Sequence, residues 1–281
     1  MKLVDLIANT LVSAGSTFSN DKKEAYRCAI AKEQNQVSRW IMEQILDNSA
    51  AAEKNRSPLC DDTGIPHIFI EIGKNRSLTG EMMEEIQEGV RKGLTLLPGR
   101  PMAVIGNDLQ RLAQSEGMSM DPADLEPAPV LIKNVEDDDM LRVHVLMLGG
   151  GPAIRGITHR VFHRHSWEVV RDTIVERAKE VAGDLGCTPA TLCVGIGRSQ
   201  FEATALMMQA MVYGDHTKQN DLETYITNAI NETQVGPLGL GGDTTILSTF
   251  VKVGPQRASG VRVVAMRPCC CFEPRKAYVD L

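Results

Sequence analysis

Residues 58 to 73 place one thiol and two carboxylates in a row, directly before a turn and a strand. The segment is Pro-Leu-Cys-Asp-Asp-Thr-Gly-Ile-Pro-His-Ile-Phe-Ile-Glu-Ile-Gly, in which Cys60, Asp61 and Asp62 precede a Thr-Gly turn signal. The alternation of polar and apolar residues from 67 to 72 is typical of a half-buried strand. Side chains on a tight connection beside a strand are held by a rigid element and remain reachable. The stretch therefore predicts either a chemical site or a surface turn with an incidental cysteine.

The cysteines of the chain favour metal binding or burial over disulfide bonds. There are seven of them: Cys28, Cys60, Cys187, Cys193, Cys269, Cys270 and Cys271. An odd number fits a disulfide framework poorly, and no Cys-x-x-Cys pair indicates a zinc ribbon or a thioredoxin motif. Single ligands on separate loops would suit a metal cluster, whereas burial as small apolar residues needs no metal.

Length, composition and charge exclude several classes of protein. The chain has 281 residues, of which 43% are hydrophobic, enough for one large domain or two smaller ones. A net charge of −6 argues against nucleic-acid binding, which would need a basic patch. No apolar run reaches the roughly 18 residues that span a bilayer, and the start lacks a signal-peptide profile. We therefore expect a cytoplasmic protein without a membrane segment.

The hydrophobic patterns predict an α/β fold of the mixed α+β type. Residues 1–56 have helical spacing, and the remainder alternates strands with helices, so that the predicted mixed sheet follows a helical N-terminal part. Residues 130–133 and 141–148 look like two strands that could form a hairpin. Because no flexible linker interrupts the chain, we expect residues 1–281 to form a single domain.

Two further groups of polar residues have more than one interpretation. Arg100 lies on a Pro-Gly-Arg-Pro turn, where it could bind an anion or cap a helix. His159, His163 and His165 lie among arginines and could hold a metal ion. A basic flank that meets an acidic substrate or partner is the interpretation we favour for the histidines.

Four motifs together resemble the signatures of the class I iron–sulfur hydro-lyases, which comprise class I fumarases and the α subunits of two-subunit fumarate and L-tartrate dehydratases. Cys60-Asp-Asp-Thr-Gly looks like their Cys-Gln-Asp-Thr-Gly, and Gly186-Cys-Thr-Pro with Val-Gly-Ile-Gly is similar to their second cysteine loop. Gly236-Pro-Leu-Gly-Leu-Gly-Gly-Asp-Thr-Thr resembles their Gly-Pro-Met-Gly-Leu-Gly-Gly-Lys-Thr-Thr. The terminal Cys-Phe-Glu-Pro-Arg-Lys resembles their Cys-Trp-Ala-x-Arg-Arg. The four occur in the family's order, from residue 58 to the C-terminus.

The resemblance implies a cofactor and its ligands. Three cysteines of this family hold a [4Fe–4S] cluster on loops at strand ends and leave one iron open, a Lewis acid for the substrate's hydroxyl group. Carried over by motif, the ligands are Cys60, Cys187 and Cys271, with Cys269 as a competitor for the third position. The implied reaction is the reversible dehydration of a small hydroxy dicarboxylic acid, such as tartrate or malate.

The resemblance also implies roles for the residues around the cluster. Arg100 stands where the family pairs an arginine with a substrate carboxylate, and Asp62 matches an aspartate that orients substrate or water. Asp61 replaces a glutamine at the substrate, and Gly149, Gly150 and Gly151 look like a glycine loop that contacts the substrate.

Several residues depart from the family's pattern, and a partner is implied. Arg198 replaces a glycine, Asp243 replaces a lysine, and Gln256 replaces a histidine. These changes leave the identity of the acid open and allow a second interpretation, a non-catalytic or repurposed homologue with a structural or sensing metal site. The family's other half implies a β subunit, with the two chains assembling as a dimer of heterodimers.

Overall fold

A computed structural model describes residues 2–114 and 116–281 and has a mixed α/β fold, as predicted. Its helices of five or more residues are α1 (Leu3–Ser16), α2 (Asn20–Lys32), α3 (Gln36–Asn55), α4 (Gly80–Leu96), α5 (Asp108–Ala113), α6 (Gly150–Ile154), α7 (Trp167–Asp184), α8 (Gln200–Tyr213) and α9 (Asp221–Asn231). Its strands are β1 (Ile65–Ile72), β2 (Leu131–Asn134), β3 (Leu141–Leu148), β4 (Ile157–Phe162), β5 (Ala190–Gly197), β6 (Ile246–Val253), β7 (Val261–Cys269) and β8 (Arg275–Asp280). The helical N-terminal part is thereby confirmed. In the described residues, no helix is both long and apolar enough to cross a bilayer.

The chain divides into two compact units, each with its own four-stranded sheet. Unit 1 contains residues 2–18, 49–150 and 275–281, and unit 2 contains residues 19–48 and 151–274. Neither unit is continuous in sequence, which is why no linker marks the division. That residues 1–281 act as one domain stays a prediction.

Unit 1 packs α1 and α4 against a sheet with the strand order β2-β1-β3-β8. The two helices approach closely because Gly89 of α4 has no side chain; a Cβ atom there would lie only 2.6 Å from Cβ of Ile7 in α1. The expected hairpin of β2 and β3 is wrong, since β1 lies between them, parallel to β2 and antiparallel to β3. Both faces of β1 are largely buried, so that it occupies an interior position in the sheet.

Unit 2 has the strand order β4-β7-β5-β6, with helices on both faces. Leu192, Val194 and Ile196 of β5 belong to one apolar cluster with residues of α7 and α9. The alternate residue Gly195 turns to the opposite face, where a Cβ atom would lie 2.0 Å from the carbonyl oxygen of Ala203 in α8. The Gly-x-Gly segment of β5 therefore permits close packing of α8.

Candidate active site

The first cysteine motif forms the connection between α3 and β1 in unit 1. The Cys60 thiol is partly exposed and donates to Oδ1 of Asp61 at 3.4 Å. This hydrogen bond, together with the nearby charge of Arg100, lowers the pKa of Asp61 below its usual value. Asp61 is therefore a carboxylate at neutral pH, and its side chain is 87% exposed.

Arg100 lies beside this motif. Its backbone N–H donates to Oγ1 of Thr63 at 3.0 Å, which ties the Pro-Gly-Arg-Pro turn to the motif. Its Nη1 lies 3.6 Å from Oδ2 of Asp61, and the two side chains are 53% and 87% exposed. An ion pair this long and this exposed contributes little to stability, so the guanidinium can exchange Asp61 for another carboxylate at small cost.

Asp62 holds the glycine loop that follows β3. Its Oδ2 accepts a hydrogen bond of 2.8 Å from the backbone N–H of Gly150. A Cβ atom on Gly150 would lie 3.9 Å from the same oxygen, so the loop approaches the carboxylate closely. Asp62 and the glycine loop are therefore in direct contact through Gly150. Gly149 precedes Gly150 in the sequence, and Gly151 follows it as the first residue of that segment of unit 2.

Arg275 holds the connection between α3 and β1 by a hydrogen bond to its backbone. Its side chain is 2% exposed, and it donates through Nε to the Met147 carbonyl at 2.9 Å and through Nη1 to the Asp62 carbonyl at 2.8 Å. Gly64 leaves space for it, because a Cβ atom there would lie 2.7 Å from Nη2 of Arg275. The Arg-Lys end of the last motif thus supports the first motif within unit 1.

In unit 2, the second and last cysteine motifs share a backbone contact. The N–H of Cys271 donates to the Cys187 carbonyl at 2.8 Å. The Cys187 side chain is exposed, whereas Cys271 is buried. A hydrogen bond with the Cys270 thiol, reinforced by burial, raises the pKa of Cys271 well above its usual value.

The Gly-Pro-Leu-Gly segment lies against the residue that follows Cys187. Thr188 donates through Oγ1 to the Gly236 carbonyl at 2.5 Å and accepts from the Gly239 N–H at 3.3 Å. Its own carbonyl accepts from the Leu238 N–H at 3.1 Å. Gly236 has a φ of 68°, in the left-handed region where glycine is favoured. The glycine-rich loop therefore packs against backbone beside a motif cysteine.

Helix α2 supports the last cysteine motif with two buried polar side chains that sequence reasoning missed. Lys22 is 1% exposed and donates to the Glu273 carbonyl at 2.5 Å, and Tyr26, fully buried, donates to the Cys271 carbonyl at 2.8 Å. Burial lowers the pKa of Lys22 to about 8, although the neighbouring cysteines act to raise it. The one signal in the sequence is that Lys22 and Tyr26 are four residues apart and therefore lie on the same face of a helix. This spacing does not indicate which segment they contact.

The remaining cysteines lie away from this contact. Cys269 donates to the Cys193 sulfur at 3.8 Å, and both thiols are completely buried within the sheet of unit 2. Cys28 is exposed on α2 and donates to Oε1 of Glu24 at 3.7 Å. Position within the fold thus separates Cys269 from its neighbour Cys271.

The thiols of Cys60, Cys187 and Cys271 fit an iron–sulfur cluster by their chemistry, since thiolates are its ordinary ligands. Two of the three are accessible, and the third shares a loop contact with one of them. Among residues 2–114 and 116–281, no three His, Cys, Asp or Glu side chains are already grouped for a metal ion. The ligand assignment therefore rests on the motifs and on these contacts.

The contacts of His163 do not support its use as a metal ligand. Nε2 of His163 lies 2.6 Å from the Ser259 carbonyl oxygen, to which it donates, and Nδ1 accepts from the His165 N–H at 3.0 Å. Both ring nitrogens of His163 are therefore used. Those of His159 are buried, and burial lowers the pKa of this imidazole.

Gln256, which stands where the class I iron–sulfur hydro-lyases have a histidine, is remote from Cys187 and Cys271 in unit 2. It precedes β7, and Cys271 follows the end of this strand. Nine strand residues span about 26 to 30 Å. Within unit 2 this departure therefore does not alter the surroundings of Cys187 or Cys271.

Comparisons with known proteins agree with the ordered motifs. The chain matches the family described as Fumarate hydratase (Fumerase) over residues 4–280. It is 28% identical over 264 residues to the putative L(+)-tartrate dehydratase subunit alpha of Methanocaldococcus jannaschii, covering 90% of this chain and 89% of that protein. It is 22% identical over 273 residues to the L(+)-tartrate dehydratase subunit alpha of Escherichia coli strain K12, covering 95% of this chain and 88% of that protein.

Fold, motifs and comparisons define the class of this protein as a hydro-lyase, as predicted. The chain belongs to the Fumarate hydratase (Fumerase) family. The roles of individual residues, the cofactor and the partner stay predictions.

Proposed function

We propose that the chain is the α subunit of a hydro-lyase that depends on a [4Fe–4S] cluster and reversibly dehydrates a small hydroxy dicarboxylic acid such as tartrate or malate. The observation that carries the proposal is the family match over residues 4–280, which includes every cysteine motif. The names of the two relatives favour tartrate among the candidate acids.

Cys60, Cys187 and Cys271 are the proposed thiolate ligands. The hydrogen bond from the Cys271 N–H to the Cys187 carbonyl supports Cys271 as the third ligand, and the contact of Cys269 with Cys193 argues against the competitor. When bound, a cluster with one iron not held by the protein supplies a Lewis acid for the substrate's hydroxyl group.

The residues of the first motif are proposed to bind and orient the substrate. Arg100 offers a half-exposed guanidinium, whose planar fork matches a carboxylate. Asp61 sets the local charge beside it. Asp62 and the loop from Gly149 to Gly151 position the substrate's other end, because the carboxylate of Asp62 fixes the Gly150 N–H. No residue of this chain is assigned as the base that removes the proton.

The proposed partner is a β subunit, as the names of the relatives as α subunits suggest. We propose a dimer of heterodimers in the cytoplasm, with further substrate-binding and proton-transfer groups on the β subunit. Full hydratase turnover by the purified chain alone would contradict this part of the proposal.

A non-catalytic or repurposed homologue is the second candidate. The contact that favours it is the 3.6 Å approach of Asp61 to Arg100, because an internal carboxylate then occupies the group that would bind substrate. Turnover of a hydroxy dicarboxylate by the reconstituted complex with the β subunit would exclude it.

The test of the cofactor is anaerobic reconstitution with iron and sulfide, followed by metal analysis and visible absorbance. We expect about four irons per chain in the wild type and loss of the cluster in Cys60→Ser, Cys187→Ser and Cys271→Ser. Cys28→Ser is the matched control, since this exposed thiol lies outside the motifs, and Cys269→Ser tests the competitor. A cluster that survives the Cys60 and Cys187 replacements would overturn the ligand assignment.

A further inference from the structure

A pocket in unit 2 lies apart from the proposed cluster ligands of that unit. It has a volume of about 370 Å³ and opens between the loop after β4, the first turns of α7 and the end of β5. Ile196, near the end of β5, lines it, whereas Cys187 precedes the start of the same strand. The strand between them spans about 20 Å, so within unit 2 the pocket lies away from Cys187.

The pocket has an apolar wall. Six of its lining residues are Trp167, Val170, Ile174, Ile196, Leu222 and Val253. Apolar walls with a few polar groups are typical of small-molecule sites, and the volume lies within their usual range of roughly 300 to 1,000 Å³. The pocket therefore fits the body of a small apolar ligand.

The polar groups of the pocket are cationic or neutral. Among the described residues that line it, none is an aspartate or glutamate, and two are arginines. Asp172 neutralises Arg171 through a 2.7 Å bond to Nε. Arg262 instead donates through Nη1 to backbone carbonyls, including that of Val261 at 3.0 Å, and forms no ion pair within the described residues. An arginine without an acidic partner at an apolar pocket attracts an anion.

The loop beside Arg262 is held by hydrogen bonds with His163. Arg164 and His165 both have positive φ values, 49° and 58°, which cost free energy for residues other than glycine. His163, 8% exposed, holds this loop through the Ser259 carbonyl and the His165 N–H. Arg262 also donates to the Ser259 carbonyl, at 3.3 Å, and the His165 ring lies 5.4 Å from that of His163. Arg262 and His165 are therefore held close to one another.

We propose that this pocket binds a small organic monocarboxylate with an apolar body, with Arg262 receiving the carboxylate and the wall formed by Trp167, Val170 and Ile174 receiving the hydrocarbon. A monocarboxylate fits better than a dicarboxylate, because a second charge would be placed against apolar side chains. Among the described residues that line the pocket, neither Cys187 nor Cys271 is present.

The test uses the fluorescence of Trp167 in the full chain. The sequence contains two tryptophans, so that Trp40→Phe leaves Trp167 as the single one. We expect hexanoate and benzoate to change its emission saturably, and hexanamide and benzamide to bind about tenfold more weakly or not at all. Equal binding of acids and amides, or no saturable change with either acid, would overturn the proposal.

Variants locate the site. Arg262→Gln is expected to weaken hexanoate binding about tenfold or more. Because Arg262 also donates to backbone carbonyls, its replacement could disturb the loop, and Val253→Glu provides a second test. This variant places a negative charge, which should repel hexanoate, at a 55% exposed position of the pocket lining. Arg177→Gln is the matched control. This arginine lies on α7, which contributes Trp167 and Val170 to the pocket, but it pairs with Glu180 and does not line the pocket itself. Unchanged hexanoate affinity in both Arg262→Gln and Val253→Glu would refute the assignment.

Discussion

Replacement of Arg275 tests whether the first cysteine motif depends on a buried cation in unit 1. Arg275→Met removes a buried hydrogen bond of 2.9 Å to the Met147 carbonyl and a partly buried one of 2.8 Å to the Asp62 carbonyl. Each hydrogen bond with a charged donor contributes about 1.5 to 3 kcal/mol, and part of the sum is offset because the cation no longer has to be desolvated. We expect the free energy of unfolding to fall by about 3 kcal/mol.

The effect is expected to be local as well as global. The Asp62 carbonyl loses its donor, so the connection that carries Cys60 should open more often. Urea unfolding followed by circular dichroism measures the free energy, and hydrogen exchange at the Gly150 N–H, which donates to Asp62, measures the local opening. Arg275→Lys keeps the charge but loses the fork and should lie between the wild type and Arg275→Met.

Arg91→Met is the control for the loss of an arginine as such. Its guanidinium is exposed in unit 1 and lies 3.8 Å from Glu88, so its removal should change stability by no more than about 0.5 kcal/mol. If Arg275→Met is as stable as Arg91→Met, or if exchange at Gly150 is unchanged, the proposed support of the motif by Arg275 is wrong.

Two further predictions concern buried polar groups. Tyr26→Phe should destabilise the chain by about 1 to 2 kcal/mol in urea unfolding, because the Cys271 carbonyl loses its 2.8 Å donor, whereas Tyr278→Phe, at a 57% exposed position, should be neutral. His144 donates to Glu71 at 2.7 Å, yet burial lowers its pKa below 6.5. As pH falls, the His144 imidazole therefore takes up a proton in the unfolded chain before it does so in the folded chain. The stability advantage of the wild type over His144→Gln should then shrink from about pH 7 to about pH 5. A constant difference in stability would contradict this.

Elements with a strong period could be predicted, whereas contacts between distant segments could not. The three N-terminal helices and β1 follow from hydrophobic spacing and alternation. The pairing of β2 with β1 instead of β3 depends on tertiary packing, which a short strand pattern does not encode. In the same way, Lys22 and Tyr26 lie on a helix of polar composition, and their partners are 251 and 245 residues away.

The cysteine triplet shows what the structure adds to a motif. Spacing left Cys269 and Cys271 as competitors for one role. Strand β7 continues through Cys269, so this side chain turns into the sheet toward Cys193, and the chain leaves the strand before Cys271. The end of a strand, which sequence patterns locate only to within a few residues, thus gives the two thiols different contacts, and the choice of ligand stays a prediction.

The departures from the family's pattern differ in their consequences for the proposed site. Arg198 is paired with Glu202 four residues on, within the same helix start, so its charge is neutralised locally. Asp61 instead lies 3.6 Å from Arg100, the proposed carboxylate-binding group, and carries a negative charge where a dicarboxylate would bind. Asp61 is therefore the departure expected to affect substrate affinity.

Asp61→Gln, assayed as the complex with the β subunit, should lower KM for a hydroxy dicarboxylate and leave kcat nearly unchanged. A unit charge at contact distance in a solvated site is worth about 1 kcal/mol, which corresponds to about fivefold in KM. Asp61→Glu keeps the charge and is the control, and added salt should reduce the difference between the two variants because both groups are exposed. An unchanged KM would mean that Arg100 does not receive the substrate. A lower kcat would instead mean that Asp61 contributes to a step after binding.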